Sequence, residues 1–157
     1  MKTYPNGRVP AEELTPIPGG RLRRGAPAKS WLALRFYLGK RYGVWIVPTG
    51  PMSSYRSLEQ QRILWQRYTN GTGALAARPG ESNHGSGIPG RAACDLPTAR
   101  MQALMRRHGP EFGWTIAGAG WTDAPSEPWH AVTNRTRLTW KARLYWNRRK
   151  LAGKKKR

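Results

Sequence analysis

The stretch ESNHGSGIPGRAACDLP, residues 81–97, decides how the middle of the chain folds. Residues 71–92 are almost all Gly, Ala, Pro, Ser and Asn, which predicts a loop. ACDL, residues 93–96, then reads as a short strand. Side chains alternate along a strand, so Ala93 and Asp95 share one face and Cys94 takes the other. Thr98 follows as the cap of a helix, PTARMQALMRRHG, whose Met101, Leu104 and Met105 form an apolar stripe. A histidine-bearing loop, a strand and a helix in this order point to a mixed fold.

Working outward, AKSWLALRFYLGKRYG carries Trp31, Leu34 and Leu38 at helical spacing, with Gly39 and Gly43 marking a frayed end. VWIV, residues 44–47, reads as a buried strand stopped by Pro48. In SSYRSLEQQRILWQRYTNG, Ser57 and Gln60 stand in a capping-box relation. Ile63 and Leu64 are expected on the inner face, and Asn70-Gly71 ends the helix. WTIAG (114–118) and WHAVT (129–133) are two further strands. TWKARLYWNRRKL is a basic amphipathic helix with Trp140 and Leu144 one turn apart. Residues 1–27, rich in Pro, Gly and Arg, read as an extended N-terminal arm, and residues 139–157 as a basic C-terminal helix and tail. The whole chain, 1–157, is expected to be one α+β domain: a small, mostly antiparallel sheet flanked by helices.

Eight tryptophans supply core area to a chain with 38% hydrophobic residues. One cysteine excludes an intramolecular disulfide. No apolar run is long enough to cross a bilayer, so no membrane partner is expected. The polar, proline-broken start lacks the pattern of a secretory leader, which predicts a cytoplasmic protein. A net charge of +20 exceeds what solubility needs and implies a polyanionic partner.

The chain has three histidines, eight acidic residues and one cysteine, so a zinc site would be drawn from few residues. Catalytic zinc takes three protein ligands and keeps a fourth position open. His84 in its small-residue loop, Asp95 at a strand end and His130 opening WHAVT are the right number and type. Glu127, three residues before His130 in EPWH, is placed to act as a general base. Trp129 can wall the site off from water, and Arg56 in SSYRS can polarise a carbonyl or bind a carboxylate. Each also has a plain structural reading. A lone histidine commonly fills a core, and Asp95 stands near enough to a helix start to cap it. Cys94 is a ligand type, although its strand direction sends it to the core. His108, in the last turn of its helix, reads as structural.

Taken together, SYRSLEQQ, SNHGSG, Ala93-Cys94-Asp95 and EPWH resemble the D-alanyl-D-alanine metallopeptidase family. This group includes VanY-like carboxypeptidases and the L-alanyl-D-glutamate peptidases used as phage endolysins. Its pattern, SxHxxGxAxD followed by ExWH, occurs here in order, and the resemblance covers roughly residues 6–133. It implies the small zinc-peptidase fold shared with hedgehog domains and Zn²⁺ held by His84, Asp95 and His130. It also implies Glu127 as base and later acid, Arg56 at the oxyanion or substrate, and Ser82 and Gln60 as substrate contacts. The family usually places six residues between its first His and its Asp. Here there are ten, and the surplus falls at Ile88–Arg91, expected to rim the substrate groove.

The function implied is hydrolysis of peptidoglycan stem peptides, as a D-Ala-D-Ala carboxypeptidase or an L-Ala-D-Glu endopeptidase. The setting would be a monomeric phage endolysin, held in the host cytoplasm until lysis and drawn to anionic wall polymers. A virion-borne lysin is the alternative location. A basic nucleic-acid-binding protein is the alternative class, resting on the charge, the KKKR tail and the Arg/Trp-rich last helix.

Overall fold

A computed structural model describes residues 2–116 and 127–154. Strands β1 (Leu14–Ile17) and β2 (Gly20–Arg23) form an antiparallel hairpin, followed by helix α1 (Ala26–Tyr42). Helix α2 (Leu58–Thr69), strand β3 (Arg91–Asp95), helix α3 (Ala99–Phe112) and strand β4 (Thr115–Ile116) come next. Strand β5 (His130–Asn134) and helix α4 (Trp140–Lys154) complete the order. Among the described residues, β3, β5 and β4 make an antiparallel sheet in that spatial order. The α+β class expected from the pattern is the one observed.

Helix α1 is the spine of the core. Trp31, Ala33, Leu34 and Leu38 are fully buried, and the Trp31 and Trp114 rings meet edge-on at 5.0 Å. The Trp114 indole N–H donates to Ser30 Oγ at 2.9 Å, so this deep tryptophan has its polar atom satisfied. Gly43 ends α1 in the left-handed conformation at φ 68°. Gly39 is not part of a frayed end. It lies within α1, where a Cβ would meet the Trp45 ring at 2.5 Å. Leu34→Ala is expected to lower stability by about 2–5 kcal/mol, read by urea unfolding, because Leu34 is fully buried in the core and its truncation leaves a void.

Three expectations need correction. The N-terminal arm is folded: Leu14, Ile17 and Leu22 are buried, and Arg23 is buried with Nη1 3.0 Å from Glu13 Oε2 and Nη2 donating to Lys2 O at 2.7 Å. VWIV is not a strand. Val44 and Ile46 face the core, but the segment joins no ladder. On α2 the capping box forms as expected, yet Ile63 is exposed and the buried residue is Gln61. The helix packs on a hydrogen-bonded loop system, so a polar side chain occupies its inner face. Of WTIAG, Ala117 and Gly118 lie outside the described residues, as do residues 155–157 of the basic tail.

The sheet has two distinct faces. Cys94, Ala92 and Ala131 join the main core with α1, whereas Ala93 and Val132 form a separate buried pair on the opposite side. Cys94 is thus the small core residue expected, and burial pushes its thiol well above the ordinary range. In the antiparallel register Asp95 stands directly opposite His130.

Candidate metal centre

His84 belongs to a short 3-10 turn, Asn83–Gly85, capped by Ser82, whose Oγ accepts from His84 N at 3.3 Å. Its side chain comes to Asp95, with Nε2 3.2 Å from Oδ2. From the other side His130 Nδ1 lies 2.7 Å from Asp95 Oδ1. One donor atom from each of His84, Asp95 and His130 can be chosen so that all lie within 4.8 Å of one another. This cluster can hold a metal ion. His108, in contrast, is bound to Tyr42 Oη at 2.8 Å and is structural.

Hydrogen-bond accounting tests whether the residues fit a cation. His84 Nδ1 faces the Ser54 carbonyl at 2.9 Å, so it must donate there. Its Nε2 faces a carboxylate oxygen, a second acceptor. A neutral imidazole has one N–H and satisfies one acceptor only. Burial lowers the ring's pKa from its ordinary value, against the pull of Asp95, so a second ring proton is disfavoured. A cation between the Nε2 lone pair and the carboxylate resolves the conflict. Donation from a ligating histidine to a backbone carbonyl is the usual device that fixes ring and tautomer. Burial also pushes Asp95 upward, but the imidazoles of His130 and His84 beside it outweigh that and hold the carboxyl well below its usual range. The donor set fits.

The scaffold around the cluster is non-local. Asp95 N donates to Ser53 O at 2.8 Å and Thr49 N donates to Asp95 O at 2.9 Å, which locks residues 49–53 alongside the end of β3. Tyr55 N donates to Arg21 O at 2.8 Å and Arg56 N to His84 O at 3.0 Å. The loop before α2 thereby joins the hairpin, the His84 turn and the sheet.

A cavity of about 300 Å³ opens over the cluster, and its lining includes Arg56, Ser82, Glu127 and Trp129. Arg56 Nε donates to Met52 O at 3.0 Å. Burial lowers the guanidinium from its ordinary value, while the Asp95 charge opposes that shift. Glu127 and His130 come together through a tight turn, because His130 N donates to Glu127 O at 3.0 Å. This is the physical content of the EPWH spacing. Trp129 lies between them in the turn, with 42% of its surface exposed, at the cavity wall. Ser82 is buried and helps set His84 as well as lining the cavity.

Gln60 and the Ile88–Arg91 insertion are not where the motif suggested. Gln60 Oε1 accepts from Ser57 N at 2.9 Å in the capping box, and the residue is not among those lining the cavity. Ile88 and Arg91 line a neighbouring depression with Tyr4 and Asn6, across the 81–83 segment from the cluster. The tight approach of Gly87 to Tyr4 and the positive φ of Gly90 turn the insertion that way.

Sequence reasoning missed several residues. Leu75, Ala76 and Ala77 form one cavity wall, from a loop read only as small and flexible. Asn6 and Gln61 brace the His84 turn from behind. Gln61 Nε2 donates to Asn6 Oδ1 at 2.8 Å, Asn6 Nδ2 donates to Ser82 O at 2.8 Å, and Gly80 N donates to Gln61 Oε1 at 2.7 Å. The available signal was Gln61 itself, a polar residue in line with Leu58 and Trp65 on the inner stripe of α2. Gly85 allows this brace, since a Cβ there would overlap Gln61 Nε2 and Asn6 Oδ1. Gly85→Ala is expected to cost about 1–3 kcal/mol by overpacking and to lower metal occupancy as His84 shifts. Urea unfolding and elemental analysis check the two effects together.

No protein-family model matches the sequence, and no curated protein matches it. Among solved structures the chain is similar to an L,D-carboxypeptidase, DacB, from Streptococcus pneumonia. The identity is 21% over 79% of this chain and 72% of that chain, with a TM-score of 0.48.

Proposed function

We propose that the chain is a zinc-dependent peptidase that hydrolyses peptide bonds in peptidoglycan stem peptides, of the D-Ala-D-Ala carboxypeptidase or L-Ala-D-Glu endopeptidase type. The observation that carries this reading is the junction of two independent features. Arg56, Ser82, His84, Asp95, Glu127, Trp129 and His130 of the metallopeptidase-like motifs, spread over residues 56–130, converge on one cavity. The three with metal-ligand chemistry meet within 4.8 Å, while Glu127 and Arg56 line the cavity without belonging to that cluster.

In this reading His84, Asp95 and His130 hold the ion. When bound, zinc supplies Lewis-acid activation of water and of the scissile carbonyl. The protein's own groups do the rest. The Glu127 carboxylate takes a proton from the attacking water and returns it to the nitrogen of the leaving amine. The water oxygen becomes bonded to the carbonyl carbon as the C–N bond breaks. Arg56, a fixed cation beside Asp95, stabilises charge gathering on the carbonyl oxygen or anchors a substrate carboxylate. Trp129 and the Leu75–Ala77 wall restrict water around the peptide. Ser82 keeps its place as a substrate contact at the cavity edge.

The role proposed is that of a phage endolysin, held in the host cytoplasm and released to the wall at lysis. The motif resemblance and the +20 charge, which suits an anionic wall, support it. The test is mass spectrometry of peptidoglycan digested by the zinc-loaded chain. Loss of terminal D-Ala identifies a carboxypeptidase, and a new N-terminal D-Glu identifies the endopeptidase. Intact stem peptides after exposure to the stoichiometrically loaded protein would refute the reading.

A further inference from the structure

Helix α4 has a second face that the site does not use. Its inner face is filled: Ala142 is fully buried, and Tyr145 and Trp146 pack on the core. Its outer face carries Trp140, Leu144 and Leu151, which are 75%, 39% and 62% exposed. With Asn147, these residues fall four, seven and eleven positions after Trp140, the spacing of a single helical stripe. Basic residues border the stripe. Arg143 and Lys150 lie along one side and Arg148 along the other, as the 3.6-residue turn dictates. Arg148 lies over the Tyr145 ring at 5.2 Å and Lys150 over the Trp146 ring at 5.3 Å, so each cation sits between the outer stripe and the inner-face rings. Neither α1 nor α4 contains an acidic residue. Glu111 of α3, the carboxylate bonded to α4, is paired with Lys141 at 2.7 Å. Lys40 and Arg41 of α1 extend the positive surface across a shallow groove shared with Arg148.

We propose that this outer face of α4 docks on an anionic lipid bilayer, lying along its surface. An exposed Trp-Leu-Leu stripe flanked by cations is the arrangement that gains from both acyl chains and anionic headgroups. A soluble polyanion would neutralise the arginines and leave the stripe in water. A second copy of the chain would cover the stripe only by bringing two strongly positive faces together. At 15 residues the helix is short of the roughly 20 needed to span a bilayer, and no helix among the described residues is long and apolar enough to cross a membrane. The expectation of no membrane partner rested on the lack of a spanning run, and the surface contact proposed for α4 departs from it. The proposal does not depend on the peptidase reading.

The test is flotation of the full chain with vesicles. Vesicles of phosphatidylglycerol and phosphatidylethanolamine should carry it, and phosphatidylcholine vesicles should not. A Trp140→Ser, Leu144→Ser, Leu151→Ser variant keeps every charge, and it should bind the anionic vesicles about tenfold or more weakly because the apolar contribution is gone. Its affinity for double-stranded DNA, a soluble polyanion, should stay at the wild-type level. Equal vesicle binding by variant and wild type overturns the proposal in favour of a simple polyanion surface. So does a wild-type dimer that the variant dissolves without any vesicle binding. All three side chains are exposed, so the fold should tolerate their loss. The single Leu151→Ser variant provides a milder check, with a partial loss expected and wild-type vesicle affinity counting against the proposal.

Discussion

Asp95→Ala is expected to abolish stoichiometric metal binding, seen as loss of zinc by elemental analysis after gel filtration. Asp95 is the residue that both histidines address, at 2.7 Å from His130 and 3.2 Å from His84. In the proposed site its removal takes away one ligand of three and the negative charge that draws a cation in. The loss should exceed the roughly 10–100-fold in affinity that removal of an outer-shell partner costs. Stability should fall as well, by about 1–3 kcal/mol even without metal, because a buried imidazole loses its charged acceptor. A chelator gives the matched control. It should lower the wild-type unfolding temperature, because an ion that binds only the folded state adds to its stability, and leave that of the variant unchanged. A variant that retains one zinc per chain would remove Asp95 from the ligand set.

Glu127→Gln is expected to separate metal binding from turnover. The residue is outside the cluster and lines the same cavity, one tight turn from His130. The amide keeps the shape and removes the basic oxygen. Zinc content should therefore match wild type while stem-peptide hydrolysis drops about 10²–10⁴-fold, the usual contribution of a positioned acid–base group. The comparison is made on kcat with the loaded protein. Equal turnover by the variant would exclude Glu127 as the base, and loss of zinc would place it among the ligands instead.

Several predicted features with a local physical cause are present in the structure. Ser57 and Gln60 close their capping box, Thr98 caps α3, and alternation in β3 sends Cys94 to the core and Asp95 away from it. The same logic overreached where a motif position suggested a role that packing had already assigned. Gln60 holds a helix start, and the Ile88–Arg91 insertion turns toward Tyr4. It fell short where the interaction is between backbone groups far apart in the chain. Nothing in VWIV distinguishes a paired strand from an unpaired extended segment, because that difference lies in its neighbours.

The amino-acid order by itself determined the α+β class, the strand face that Asp95 takes and the short list of groups with metal and acid–base chemistry. Those follow from period, capping and residue type, which act over a few positions. Only the tertiary structure decided that the N-terminal hairpin is folded, that Asn6 and Gln61 brace the His84 turn, and that Ser54 O orients the His84 ring. The physical reason is that a carbonyl accepts from any N–H brought to it. The chain's side-chain pattern does not record which one arrives, and that choice is made when the core draws the hairpin, the loop before α2 and the end of β3 together.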